Sequence, residues 1–247
     1  TVPRATIEAD SAAVLARPDI SIDTREDLFR IQSVGLDWDI GNQVYTPTDE
    51  NQIARGPDGK KIGFFLLSGG SGDYKSMDPL ARVLAQKFGY CVVTMTYPGR
   101  LYLDDASRDW PGDTVNADGT VRTPQWLAGE RITPDQYEVV RDTTMRARYG
   151  TRILARAKPG TVFWHRMAGW PAAFEDAMIE SCRRHFPEAD TSIYVHGHST
   201  GGPFVSYLTQ RLANIAGEIE IEAGSIGVIA QAKHAWSGNL GKVPGFE

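Results

Sequence analysis

Long apolar runs are missing from this sequence. No stretch approaches the ~18 consecutive apolar residues of a membrane span, so none is expected. Basic runs are missing too. Lys and Arg number 26 against 31 Asp and Glu, a formal net charge of −5, which excludes the basic surface that nucleic acid or an anionic membrane requires. Cysteine is scarce. Cys91 and Cys182 cannot make a disulfide framework, and both fall in apolar segments, so each reads as a buried free thiol. One bridge stays open if the protein is exported. Histidines number five, and no pair of them, or of histidine with cysteine, has metal-ligand spacing. No glycine run matches a nucleotide-binding fingerprint, and no cofactor is expected. Internal repeats are absent.

The 247 residues, 41% of them hydrophobic, suffice for one large α/β domain or two small ones. The chain starts at Thr1 without methionine, which implies a removed leading segment and favours export, although the compartment stays open. Residues 1–27 are weakly patterned and read as an arm over the surface. Residues 28–47 hold strand-like pieces suited to the antiparallel opening of a sheet. Residues 62–67 (I-G-F-F-L-L) form a short continuous apolar run, as expected of a strand covered on both faces. A helix is expected over 78–88 and a second buried strand over 90–96. Strand, helix, strand is the rhythm of a parallel sheet.

That rhythm breaks over about 101–168, which is polar and turn-rich and reads as a cap or lid inserted in the core. Within it a helix is expected over 134–157, opened by Thr133 as N-cap, Pro134 at the first position and Gln136 in a capping box. Trp164 and His165, at the exit of the insertion, are candidates to line an apolar or aromatic substrate pocket; packing of the tryptophans onto the core is an equal alternative. An amphipathic helix follows over 169–186, and a further strand is expected in 218–230.

The stretch that carries chemistry is T-S-I-Y-V-H-G-H-S-T-G-G at 191–202. A β-branched and aromatic run leads into Gly197-His198-Ser199-Thr200-Gly201. Phe204, Val205, Leu208 and Leu212 then sit at helical spacing. A G-x-S-x-G pattern alone is weak; a strand before it and a helix after it give it meaning. The glycines let a strand reverse sharply into a helix, leaving Ser199 exposed on a strained turn. In that arrangement the Thr200 N–H, at the helix start, faces any developing oxyanion.

These residues resemble the nucleophile elbow of the α/β-hydrolase superfamily. The resemblance covers residues 28–247 and implies a mostly parallel sheet flanked by helices, with a lid-like insertion. It also implies an oxyanion-hole loop after the 62–67 strand. Ser68-Gly69-Gly70-Ser71 stands there, with serine where the superfamily often has histidine. Gly70 is the favoured donor and Ser71 the second choice. His198 fills the variable slot before the nucleophile and is expected to point away from the chemistry. His196 reads as a satisfied core histidine, and His185 as a surface or lid residue.

The triad in that superfamily runs serine, acid, histidine. The 48 residues after Ser199 contain no aspartate; their acids are Glu218, Glu220, Glu222 and Glu247, and their one histidine is His234. Three arrangements compete. A companion polypeptide supplies the acid and histidine of a cleaved enzyme, which is the favoured arrangement. Or Glu222 and His234 complete a compact triad. Or the fold carries no catalysis. The resemblance thus implies a serine hydrolase of a small carboxylic ester, with lactones and amides using the same apparatus. The alternative is a non-catalytic binding or scaffold protein. The position of a histidine relative to Ser199 discriminates them.

Overall fold

The computed structural model describes residues 2–33, 36–69, 74–98, 125–127, 130–131, 134–147, 150–158 and 161–221. The architecture is α/β. A six-stranded mixed sheet has the order β1-β2-β4-β3-β9-β10, where β1 is Ile22–Ser33, β2 Leu36–Pro47, β3 Lys61–Leu67, β4 Cys91–Met95, β9 Thr191–His198 and β10 Ile215–Ile221. β2 meets β4 antiparallel, while β4, β3, β9 and β10 run parallel to one another. Among the described residues four α-helices accompany the strands: α1 (Arg4–Leu15), α2 (Asp78–Phe88), α3 (Val162–His185) and α4 (Gly201–Leu208).

The described residues fall into two compact units. The first comprises Thr1–Asp27, Gly41–Met95 and Met178–Ala223. Its centre is β3, whose Phe65, Leu66 and Leu67 are fully buried. Side chains alternate across a strand, so β3 and β4 feed both faces of the sheet. On one face Leu66 and Val92 pack with Tyr45 against Ala81 and Ala85 of α2. Those two alanines, four apart, give α2 a small flat stripe that lies close on the strands. On the other face, the Ser181 hydroxyl lies 3.1 Å from Asn42 Oδ1 and 3.4 Å from Met95 Sδ. Each large apolar side chain buried this way contributes about 1.5–3 kcal/mol, an upper estimate because the unfolded chain is already partly compact.

The chain before β1 is α1 plus an extended lead, and α1 buries no residue. The lead is tied to α2 by four contacts, one of them the ion pair of Lys87 with Asp19. Ile20 N–H donates to the Gln86 carbonyl at 2.8 Å, Lys87 Nζ donates to the Arg17 carbonyl at 2.7 Å, and the Arg17 guanidinium sits 4.8 Å from the Phe88 ring centroid. Both cysteines are free; Cys182 is buried, but Cys91, at the first position of β4, is only part-buried.

The second unit comprises Leu28–Ile40 and Thr96–Ala177, with the described residues between those limits. Here the structure corrects the sequence. The helix expected over 134–157 is absent. Pro134–Gln136 makes one 3-10 turn, so the start signal at Thr133 and Pro134 extends no further. Before it, β5 (Gln125–Leu127) and β6 (Glu130–Arg131) pair antiparallel; after it, β7 (Tyr137–Ala147) and β8 (Gly150–Ala157) do so, with Tyr137 opposite Ala157 and Ala147 opposite Gly150. The physical reason lies in Val139, Val140, Thr143, Thr144, Thr151 and Ile153. β-branched side chains lose χ1 freedom in a helix and fit a pleated surface. In the same unit Tyr97 and Phe174 pack at 4.6 Å between ring centroids. The helix expected over 169–186 starts seven residues earlier, at Val162.

Candidate active site

Strand order alone marks a crevice. β3 leads through α2 to β4 on one side, and β9 leads through α4 to β10 on the other. Right-handed connections that depart in opposite directions leave a gap above the carboxyl ends of the two central strands, where α/β sheets bind ligands. Ser68 and Gly69 leave β3 there, and Ser199 leaves β9 there.

The turn at Ser199 is sharp and strained. β9 ends at His198, α4 begins at Gly201, and Ser199 has φ 52°, the one non-glycine residue with positive φ among the described residues. Holding a serine in that region costs about 1–3 kcal/mol and requires the surroundings to enforce it. Backbone does so here. A Cβ on Gly197 would lie 2.4 Å from the Gly201 carbonyl oxygen and 2.5 Å from Gly202 Cα. A Cβ on Gly201 would lie 2.6 Å from the Ser68 carbonyl oxygen. Both glycines of G-x-S-x-G are therefore sterically required. Ser199 N–H donates to the Ile221 carbonyl at 2.9 Å, and Gly202 N–H to the Ser199 carbonyl at 3.1 Å.

These contacts leave the Ser199 side chain part-exposed, followed by the exposed Thr200 at the N-cap of α4, which has no side-chain cap. Gly69 is the close neighbour across the crevice. A Cβ there would stand 3.2 Å from His198 Nδ1 and 3.3 Å from Ser199 Cβ. The structure thus brings together Ser199, Thr200, His198 and the start of the Ser68-Gly69 loop. Gly70 and Ser71, and likewise Glu222 and His234, lie outside the described residues. Trp164 and His165 are in α3, and their side chains lie outside what the structure describes. Among the described residues, the Ser199 hydroxyl makes no hydrogen bond, and no cluster of three His, Cys, Asp or Glu residues could hold a metal ion.

Two histidines differ from expectation. His196 is buried, but neither ring nitrogen has a hydrogen-bond partner, so it is a core histidine that is not satisfied. Burial pushes its pKa below the ordinary 6.5, and the charge of neighbouring His198 acts in the same direction. His185 is half-buried rather than superficial, its side chain 5% exposed, with Nε2 3.0 Å from Asp27 Oδ2 but not aligned for a hydrogen bond. Burial lowers its pKa also, more than Asp27 raises it. The periodic pattern of 169–186 foretells the burial of that helix face, yet no sequence signal marks a missing polar partner.

No protein-family model matches the chain, and no curated protein matches it. Solved structures similar to it include S-formylglutathione hydrolase of Staphylococcus aureus, at 13% identity over 84% of this chain and 60% of that one, with a TM-score of 0.41. An α/β-hydrolase enzyme from the metagenome of Lake Arreo, Spain, is 14% identical over 90% of this chain and 52% of its own, with a TM-score of 0.37. A thermostable esterase from Pseudomonas putida is 15% identical over 83% and 44%, with a TM-score of 0.32. The chain therefore spans 60% or less of the length of these structures.

Proposed function

We propose that the protein is a serine hydrolase of the α/β-hydrolase type, cleaving a small carboxylic ester through an acyl-enzyme on Ser199. The observation that carries this reading is the positive φ of Ser199 between two glycines that cannot bear a Cβ. A fold gains nothing in packing from a strained, part-exposed serine; the strain makes sense where the hydroxyl must project into a crevice. In the reaction a histidine takes the Ser199 proton as Oγ attacks the ester carbonyl, and an acid orients that histidine. The Thr200 N–H, with Gly70 or Ser71 as the second donor, stabilises the oxyanion, each donor being worth about 3 kcal/mol. The histidine returns its proton to the departing alkoxide, and water then hydrolyses the acyl-enzyme.

The histidine and acid come from beyond the described residues. Glu222 and His234 are the pair this chain offers, and a companion polypeptide is the favoured source. Support for added chain is found at the sheet margin. β10 is the last strand of the sheet order, and its Ile219 and Ile221 are 41% and 46% exposed. An apolar edge strand with no pairing partner among the described residues invites pairing with further chain. The rival reading, a binding protein on this fold, is favoured by one observation: no described histidine hydrogen-bonds Ser199. Hydrolysis of p-nitrophenyl esters by wild type and Ser199→Ala separates the two. Activity that disappears in the variant supports the hydrolase; no activity in folded wild type supports the binding protein.

A further inference from the structure

The margin of the sheet at β10 carries a pattern of its own. Glu218, Ile219, Glu220 and Ile221 follow one another there, all four exposed. Side chains alternate across a strand, so the glutamates stand on one face of the sheet and the isoleucines on the other. The glutamate face is the one that bears α4. Glu220 Oε1 lies 2.7 Å from the Ser206 hydroxyl of that helix, and Glu218 Oε1 is within reach of the same oxygen. One hydroxyl has one proton and cannot serve both carboxylates. Neither glutamate pairs with a cation among the described residues. The isoleucines stand beside His196 and His198 of β9, on the face where Leu66 meets α2.

The backbone gives the edge a direction. The Ile221 carbonyl accepts from Ser199 N–H, so it points at β9. The N–H and C=O of one strand residue point to the same side, and those of the next residue to the other. Ile219 and Ile221 therefore bond inward, and the peptide groups of Glu218 and Glu220 face the margin. Such an edge takes an extended segment by strand addition. The charges say which kind. A second copy of this chain, paired two-fold through β10, would set glutamate against glutamate, which is destabilising. Residues 222–247 hold two basic residues other than histidine, Lys233 and Lys242, nine apart, so that stretch cannot set a cation against each glutamate.

We infer that β10 is the docking edge for an extended segment of another polypeptide in which two basic residues, two apart, alternate with β-branched apolar ones. Its cations lie opposite Glu218 and Glu220, and its apolar side chains beside Ile219 and Ile221. This rests on the reading that further chain joins the sheet at β10 and names the chemistry of that chain; it does not depend on the chemistry at Ser199.

The test uses the full chain with a labelled, capped peptide Thr-Lys-Val-Lys-Val-Thr as probe and Thr-Glu-Val-Glu-Val-Thr as control. Fluorescence anisotropy at low salt gives the affinity, and amide exchange by NMR gives the place. The lysine peptide should bind saturably, at least about tenfold tighter than the glutamate peptide. It should slow exchange at the Glu218 and Glu220 amides and leave those of Ile219 and Ile221, already bonded to β9, unchanged. The double variant Glu218→Lys, Glu220→Lys, at two exposed positions, should reverse the preference. Fast edge amides with no saturable binding of the lysine peptide overturn the inference alone. So does equal binding of the two peptides, protection elsewhere than at Glu218 and Glu220, or an unreversed preference in the double variant. Glu218 and Glu220 amides already slow without peptide overturn the inference together with the reading beneath it, because the edge is then paired.

Discussion

The amide of Ser199 donates to the carbonyl of Ile221 at 2.9 Å, so the elbow is bonded to the last residue of β10. That bond occupies the serine's own N–H. In the proposed hydrolase, the elbow's oxyanion donor is therefore Thr200, the first residue of the turn into α4. It also fixes the backbone that holds Ser199 at φ 52°, and this separates the cost of the elbow from its chemistry.

Ser199→Ala and Ser199→Gly should therefore differ in stability and agree in activity. Alanine keeps the positive-φ strain; glycine relieves it but adds freedom to the unfolded chain. The net expectation is that the glycine variant is more stable than the alanine variant by about 0.5–1 kcal/mol in urea denaturation. Neither should hydrolyse esters. Equal stabilities would mean that the serine is not strained.

Gly197→Ala should not tolerate its methyl. The new Cβ would meet backbone, the Gly201 carbonyl oxygen at 2.4 Å, and backbone cannot rotate aside. A loss of at least about 2 kcal/mol is expected, seen as a lowered urea midpoint or as insoluble protein.

Gly69→Ala is a milder change at the crevice. Its methyl would meet the His198 ring at 3.2 Å and Ser199 Cβ at 3.3 Å, distances that a shift of a few tenths of an ångström relieves. The fold should survive with a loss below about 1.5 kcal/mol, while kcat falls roughly tenfold because the nucleophile is displaced. Unchanged kcat would dissociate the 68–71 loop from the chemistry.

Acid should destabilise the protein through two histidines. The folded state depresses the pKa of both His196 and His185, mainly by burial. A group with a depressed folded pKa binds fewer protons folded than unfolded, so stability is intact above pH 6.5 and falls as pH drops below it. Asp27 adds to the fall at lower pH. Its hydrogen bond from Arg184 holds its carboxyl below the ordinary 3.8, and that contribution is lost as it protonates. His196→Phe removes an unpartnered polar ring from the core. It should flatten the decline between pH 6.5 and 5 without loss of stability at pH 8, measured by urea denaturation at each pH. An unchanged pH profile in His196→Phe would show that His196 is not the sensor.

Much of this was legible in the sequence because burial leaves a plain mark. The apolar runs at 62–67 and 90–96 became β3 and β4, the expected 78–88 helix is α2, and the pattern around Ser199 became strand, turn and helix. The pattern at 134–157 misled because its capping signal is genuine over one turn, while Val139, Val140, Thr143 and Thr144 favour a strand once a partner strand returns beside them. The crowding at Gly197 and Gly201 could be suspected from the motif, but the Ser68 carbonyl that enforces it comes from 133 residues away. The isolation of His196 is likewise a property of its neighbours across the sheet.

The central claim is that Ser199 is an activated nucleophile. A fluorophosphonate probe on native protein, followed by intact and peptide mass spectrometry, tests it most directly. The account predicts one adduct, on the peptide containing Ser199, absent after heat denaturation and absent in Ser199→Ala. Folded, unlabelled protein, or an adduct at another residue, would contradict it.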